Sequence, residues 1–301
     1  MRKNIAEKPV SPSIQVEEPE YIRFRLWKEV WRRLKKNKMA MVSLFILLVI
    51  IVFALFPSVI APYGYDDQDM SRTFQSPCLK YLLGTDQYGR DVFSRVVYGS
   101  RISLQVGLIV VTLSLVIGGT VGIIAAYYKK FDNFIMRVMD LFMAVPGTLL
   151  AIVIAATLGP GMTNLMIAVA IASVPQYARV TRSACLTSMH CEYIEAANSL
   201  GASDLRIIFK HILPNSISPI IVQCTLSIAD AVITASCLSF IGLGIQPPIP
   251  EWGAMLSGSQ EFLTSYPYLL IGPGIAILLL ALSFNILGDG LRDCLDPKLK
   301  T

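Results

Sequence analysis

Charge is scarce in this 301-residue sequence: Asp, Glu, Lys and Arg together make up 16%, and histidine occurs twice. With 54% hydrophobic residues and a mean hydropathy of +0.58, the composition lies outside the range of ordinary soluble domains. No GK[ST] follows any glycine-containing stretch, so the chain has no phosphate-binding loop of its own and no means to use ATP alone. There is no HExxH, no GxSxG elbow and no pair of acidic residues inside an apolar run, which argues against a membrane protease or other hydrolase and leaves no catalytic residue to nominate. The six cysteines, Cys78, Cys185, Cys191, Cys224, Cys237 and Cys294, are too scattered for a disulfide framework or a paired CxxC site, and read as packing thiols. Nothing calls for a metal or cofactor. The histidines, His190 and His211, fall in or beside one polar stretch.

What remains is an all-α, polytopic membrane protein. Residues 1–38 are polar at first, then carry YIRFRLWKEVWRRLKKNK, whose Phe24, Trp27, Trp31 and Leu34 recur at near-helical spacing among Lys and Arg. This suits a helix lying on the cytoplasmic membrane surface with its cations toward anionic lipid. Its rival is a nucleic-acid patch, which the span that follows at once disfavours. Residues 39–61 contain no charge, and about 20 apolar residues cross a bilayer. The basic cluster before them holds the N-terminus inside.

Residues 62–100 form an external segment, and 101–290 hold five further crossings. The second span, Ile102–Tyr128, contains Gly118, Gly119 and Gly122, which would let a neighbouring helix approach closely. Two crossings joined at Gly159, Pro160 and Gly161 fit before Arg179, with kinks expected at Pro146 and Pro175. A cytoplasmic loop follows at 179–215, then spans Ile217–Leu243 and Tyr268–Leu287, and a cytoplasmic tail at 291–301. The expected count is six crossings with both termini inside.

The most informative stretch is EYIEAANSLGASDLRIIFKHILP, Glu192 to Pro214. Tyr193, Ala196, Ala197 and Leu200 mark one helical face, Gly201 supplies a helix-ending turn, and Ser203 or Asp204 is placed to cap a second helix. That second helix puts Leu205, Ile208, Phe209, Ile212 and Leu213 on one stripe and is expected to stop at Pro214. A helix, a turn and a helix also describe a DNA-reading motif, but a pair held between membrane spans does not reach a groove. The order Glu195, Ala196, Ala197, then Gly201, then Leu213 and Pro214 resembles the EAA motif of the membrane subunits of ABC importers. In that family the motif couples an ATPase subunit to the membrane.

Two external stretches extend the resemblance. Leu83, Gly84, Thr85, Asp86, Gly89, Arg90, Asp91, Ser94, Arg95, Gly99, Arg101, Ser103 and Leu104 resemble the signature before the second span of the dipeptide, oligopeptide and nickel importer permeases, in the subunit conventionally called C. Leu238 to Gly253, with Pro247, Pro248 and Trp252, is similar to the same family; its prolines stiffen the link and Trp252 is expected at the membrane interface. Ala235 stands where many members carry an acid.

The resemblance implies a type I ABC importer permease fold without catalytic activity. It also implies a homologous second permease, two ATPase subunits and an extracytoplasmic binding protein, working by alternating access on di- or oligopeptides, in a prokaryotic plasma membrane. Nickel, glutathione or another small solute is the alternative cargo. A stand-alone transporter or channel would need ion-coupling residues in its spans, and Asp230 is the one acid well inside a predicted span. Asp230 therefore faces either the translocation cavity or a structural partner.

Overall fold

The computed structural model describes residues 28–189 and 191–295. The expectations for residues 1–27, His190 and 296–301 lie outside these. The described chain is helical, with ten labelled elements: α1 (Lys38–Leu55), α2 (Val92–Tyr127), α3 (Lys129–Met143), α4 (Gly147–Leu158), α5 (Met162–Met189), α6 (Glu192–Ser199), α7 (Asp204–Ile207), α8 (Leu213–Phe240), α9 (Trp252–Gly258) and α10 (Tyr268–Leu295). Residues 28–34 are also helical, with Val30 and Leu34 buried and Trp31 exposed.

Four helical segments among the described residues are long and apolar enough to cross a membrane: α1, α2, α7 with α8 as one 37-residue run, and α10. The pair α3 and α4, bent by 85° at Pro146, makes a fifth if it crosses as one broken span. The expected count of six is not reached by length and composition. The shortfall is α5, which at 28 residues is long enough but contains Asn164, Gln176, Arg179 and Arg182. Its packing explains this. α5 lies along α2 and also touches α3, α4 and α8, and a helix shielded by protein need not be apolar all round.

Several boundaries differ from expectation for local reasons. α1 ends at Leu55, before Ala61, because Pro57 follows and opens a separate single turn, Pro57–Ile60. Val92–Ser100 is no loop: the Asp91 carboxylate caps α2 by accepting from the Ser94 amide at 2.8 Å, so the helix starts there and runs 36 residues. By contrast, α3 is amphipathic and the chain bends sharply between it and α4, in keeping with the kink expected at Pro146. Pro175 lies within α5 as one unbroken helix.

The close approach expected of the small residues is present between α2 and α5. A Cβ on Gly118 would lie 2.6 Å from the Val174 carbonyl oxygen, and one on Gly122 would lie 2.4 Å from that of Ala178. The Ser114 hydroxyl donates to the Ala170 carbonyl at 3.0 Å across the same seam. Small residues four apart let two backbones touch, which is how helices associate where no water drives them together.

Candidate functional site: the Glu192–Pro214 island and the Asp86 cluster

The island between α5 and α8 is built on a glycine turn. Gly201 has φ +76°. Its amide donates to the Asn198 carbonyl at 2.9 Å and that of Ala202 to the Ala197 carbonyl at 3.1 Å, the paired closure of a helix ended by a left-handed residue. A Cβ at Gly201 would meet nothing within 4 Å, so the demand for glycine is one of backbone conformation alone.

Beyond the turn, α7 passes into a π-helical turn, Ile208–Ile212, in which the Leu213 amide donates to the Ile208 carbonyl. Pro214 therefore does not stop the helix. It sits in the first turn of α8, where the missing N–H is no loss, and the run continues to Phe240.

The buried stripe differs from the expected one. Ile207, Ile208 and Ile212 join Ile194, Ala126 and Cys185 in a small buried cluster separate from the main core. Leu205 and Phe209, expected on the buried stripe, point outward, as do Tyr193 and Leu200. Leu200 is 88% exposed and Phe209 62%. Glu195 and Ala196 are exposed and Ala197 half-buried. The outward side is thus apolar with an acidic residue beside it, the character of a docking face.

The island is braced from below. The Ser216 hydroxyl lies within hydrogen-bonding distance of the Ala184 and Ile212 carbonyls and of the Ser188 hydroxyl, at 3.1, 2.9 and 3.0 Å. Neither candidate cap acts as one: Ser203 makes no side-chain cap bond, and the Asp204 carboxylate instead accepts from the hydroxyls of Tyr127 at 2.9 Å and Tyr128 at 3.2 Å. Nearby, Arg182 forks onto Asp132 at 2.5 and 2.6 Å and Arg179 bonds Asp140 at 2.6 Å, clipping α3 to α5. Asp140, Arg179 and Arg182, with Asn133, Met136 and Arg137, line an open polar cavity of about 470 Å³.

At the other end of the bundle the two stretches expected to be external form one structure. Asp86 accepts from the amides of Tyr88 and Arg90 at 2.9 and 3.0 Å and from Arg90 Nε at 2.7 Å. Arg95 lies 3.9 Å from the same carboxylate and donates to the Tyr65 carbonyl at 2.7 Å and the Pro248 carbonyl at 3.5 Å. Asp86, Arg90, Asp91 and Arg95 are all buried. Gly89 has φ +71° and abuts the Asp69 backbone, so no side chain fits there.

Pro247 and Pro248, joined by a cis peptide bond, are exposed on the link. Trp252 is not free to anchor at the membrane interface as expected. It is 1% exposed, and its indole N–H donates to the Val96 carbonyl at 3.0 Å. The bulk of the indole is packed against Gly99, whose absent Cβ makes room for it.

Sequence reasoning missed Glu251. It is buried beside Trp252, and its two oxygens accept from the Gly253 and Ala254 amides, each at 2.8 Å, with the Ser236 hydroxyl at 3.3 Å. Burial pushes its carboxyl above the ordinary range, opposed by those amides. Glutamate is an unusual helix cap, so the sequence carried no signal for it. Asp230 lies exposed on α8, on one face with Ile233, Cys237 and Phe240, and no hydrogen bond or ion pair engages its carboxylate among the described residues.

Residues 118–301 match the family described as binding-protein-dependent transport system inner membrane component, and residues 25–77 the N-terminal TM domain of oligopeptide transport permease C. The chain is 46% identical to the dipeptide transport system permease protein DppC of Alkalihalophilus pseudofirmus over 96% of both chains. It is 45% identical to the glutathione transport system permease protein GsiD of Pectobacterium atrosepticum, over 91% of this chain and 92% of that one. The di/tripeptide transport system permease protein DppC of Pseudomonas aeruginosa is 43% identical over 91% and 92% respectively. Among solved structures, the inward-facing MetNI methionine ABC transporter matches with a TM-score of 0.56 at 18% identity, over 67% of this chain and 96% of that one. That match concerns the fold alone.

Proposed function

We propose that this chain, which belongs to the family of binding-protein-dependent transport system inner membrane components, forms half of a translocation pathway for di- and oligopeptides, moved by separate ATPases through the Glu192–Pro214 island. As a member it is a non-catalytic, multi-pass permease subunit of an ABC importer that works with ATPase and binding-protein partners. The finer reading is a homologous second permease beside it, two ATPases seated on the two islands, six crossings with both termini cytoplasmic, and the basic segment before α1 on anionic lipid. Glu195, Ala196, Ala197, Gly201, Leu213 and Pro214 carry the coupling role; Asp86, Gly89, Arg90, Asp91, Arg95, Pro247, Pro248 and Trp252 hold the external cap on which the binding protein acts.

The observation that carries the coupling role is the exposed apolar face of Leu200, Leu205 and Phe209 around a backbone-demanding glycine. An exposed apolar patch rimmed by polar residues marks a surface that a partner covers. In the implied cycle, ATP closes the ATPase dimer, the islands follow, and the α8 helices continuous with them turn the cavity outward. Hydrolysis reverses the motion and releases cargo inward. Asp230, a carboxylate in a membrane helix without a partner among the described residues, has to face water or protein. We place it on the cavity, where it would meet a cationic peptide terminus.

Peptide cargo is favoured by the relatives with dipeptide names, and glutathione is the second reading because a relative of that name is nearly as similar. Proteoliposomes holding both permeases and the ATPases, supplied with the cognate binding protein, test this. ATP-dependent uptake of labelled dialanine in preference to glutathione is expected, with a several-fold loss in Asp230→Asn. Uptake of glutathione alone would replace the cargo, and unchanged uptake by Asp230→Asn would remove that residue from the cavity.

A further inference from the structure

We infer that Asp204 is a latch through which the island drives a second helix, α2, and that Tyr127 and Tyr128 are its two receivers. This rests on the coupling role just proposed and names a transmission element that the EAA-type residues do not include. α8 is covalently continuous with the island, so any push on α7 reaches it through the backbone. α2 has no such connection. It meets the island through the apolar cluster of Ala126, Ile194, Ile207, Ile208 and Ile212 and through the Asp204 carboxylate.

The two kinds of contact transmit differently. Apolar burial is non-directional and lets surfaces slide. A carboxylate accepting two hydroxyls fixes position and orientation, and a bond to an ionised acceptor is stronger than a neutral one. The Tyr127 hydroxyl lies 2.9 Å and the Tyr128 hydroxyl 3.2 Å from opposite oxygens of the one carboxylate, with the two rings set edge to face at 5.0 Å. Tyr127 is the last residue of α2, and Tyr128 is the single residue separating it from α3. Asp204 thus holds the hinge between those helices. Asp204 lies inside the first turn of α7 and makes no cap bond, so its carboxylate is free for the task.

The far end of α2 gives the latch its purpose. The helix has 36 residues, about 54 Å at ~1.5 Å per residue. It begins at buried Asp91 in the external cap, where its Val96 carbonyl takes the Trp252 indole and its Arg95 reaches the Pro248 carbonyl. α2 therefore runs as a rod from the surface offered to a binding protein to the island offered to an ATPase. Coupling between two sites is reciprocal, so the same rod returns the signal that a loaded binding protein has docked.

The test is performed on the full complex of both permeases and the ATPases in proteoliposomes, reading basal and binding-protein-stimulated ATP hydrolysis, which do not require the cargo to be transported. Tyr127→Phe/Tyr128→Phe keeps both rings and removes both donors. It should retain the ATPases and basal hydrolysis while losing ~5-fold or more of the stimulation. Tyr128→Phe alone, at an exposed hydroxyl, and Asp204→Asn, which keeps one oxygen, should lie between, and Asp204→Glu should recover part of the loss. Stimulation within twofold of the unsubstituted complex in the double variant would overturn the latch. So would loss of the ATPases from Asp204→Asn with full stimulation in the double variant, because Asp204 would then be an ATPase contact. Failure of the unsubstituted permeases to retain the ATPases would sink the coupling role itself.

Discussion

Replacing Gly201 tests whether the island is a hinge or merely a surface. The residue has φ +76° and open space around its missing Cβ, so a side chain there introduces no collision and the whole cost is conformational. A non-glycine residue in this region costs about 1–3 kcal/mol, with alanine at the low end and a β-branched residue at the high end. At roughly 1.4 kcal/mol per factor of ten, Gly201→Ala shifts the turn about fivefold and Gly201→Val about a hundredfold. Neither touches the buried cluster under the island, so insertion and folding of the bundle should survive. Gly242 provides a matched control, since it too has a positive φ, +84°, and nothing within 4 Å, but it lies at the other end of α8. Uptake per ATP hydrolysed, measured in proteoliposomes, should fall slightly in Gly201→Ala, severely in Gly201→Val and little in Gly242→Ala. A Gly201→Val complex that transports with unchanged stoichiometry would refute the hinge, and equal losses at Gly242 would show that the effect is general strain.

Three other substitutions probe the scaffold. Gly122→Leu would drive a side chain into the α5 backbone at Ala178; overpacking costs about 1–3 kcal/mol even where neighbours can yield, so a lowered melting temperature in detergent is expected. Asp86→Asn leaves Arg90 and Arg95, each 6% exposed, without their shared carboxylate. Breaking a buried ion pair costs about 3–5 kcal/mol, and the amount of assembled protein in membranes should drop sharply. Glu251→Gln replaces an oxygen that accepts a backbone amide with an NH₂ facing that amide. An unsatisfied buried donor costs about 1–3 kcal/mol, so protease sensitivity of the 241–267 connection should rise while the ATPases stay bound.

How much of this was legible beforehand differs from one element to the next. The glycines of α2 announced a close helix contact, and they make one with α5. Gly201 was readable as a turn because only a backbone of positive φ closes a helix in that way. The stop at Pro214 was misread because a proline in sequence does not reveal whether the turn before it is α or π, and here a π turn leads into the helix whose first turn holds the proline. Trp252 was taken for an interface anchor because such residues are common there. Its burial depends on Gly99 and Val96, more than 150 residues away in the chain.

Composition and spacing were by themselves enough to determine that the chain is a helical membrane protein, and to single out the short stretches that are candidates for its function. Those properties follow from local hydropathy, charge and backbone demand, which neighbouring residues express together. Only the tertiary structure decided that the two stretches expected to be external close around one buried Asp86–Arg90–Arg95 cluster, that Glu251 caps the link beside it, and that Asp204 reaches across to Tyr127 and Tyr128. Each of these joins groups from distant segments, and such a contact exists only once the helices have packed and brought a donor within about 3 Å of its acceptor.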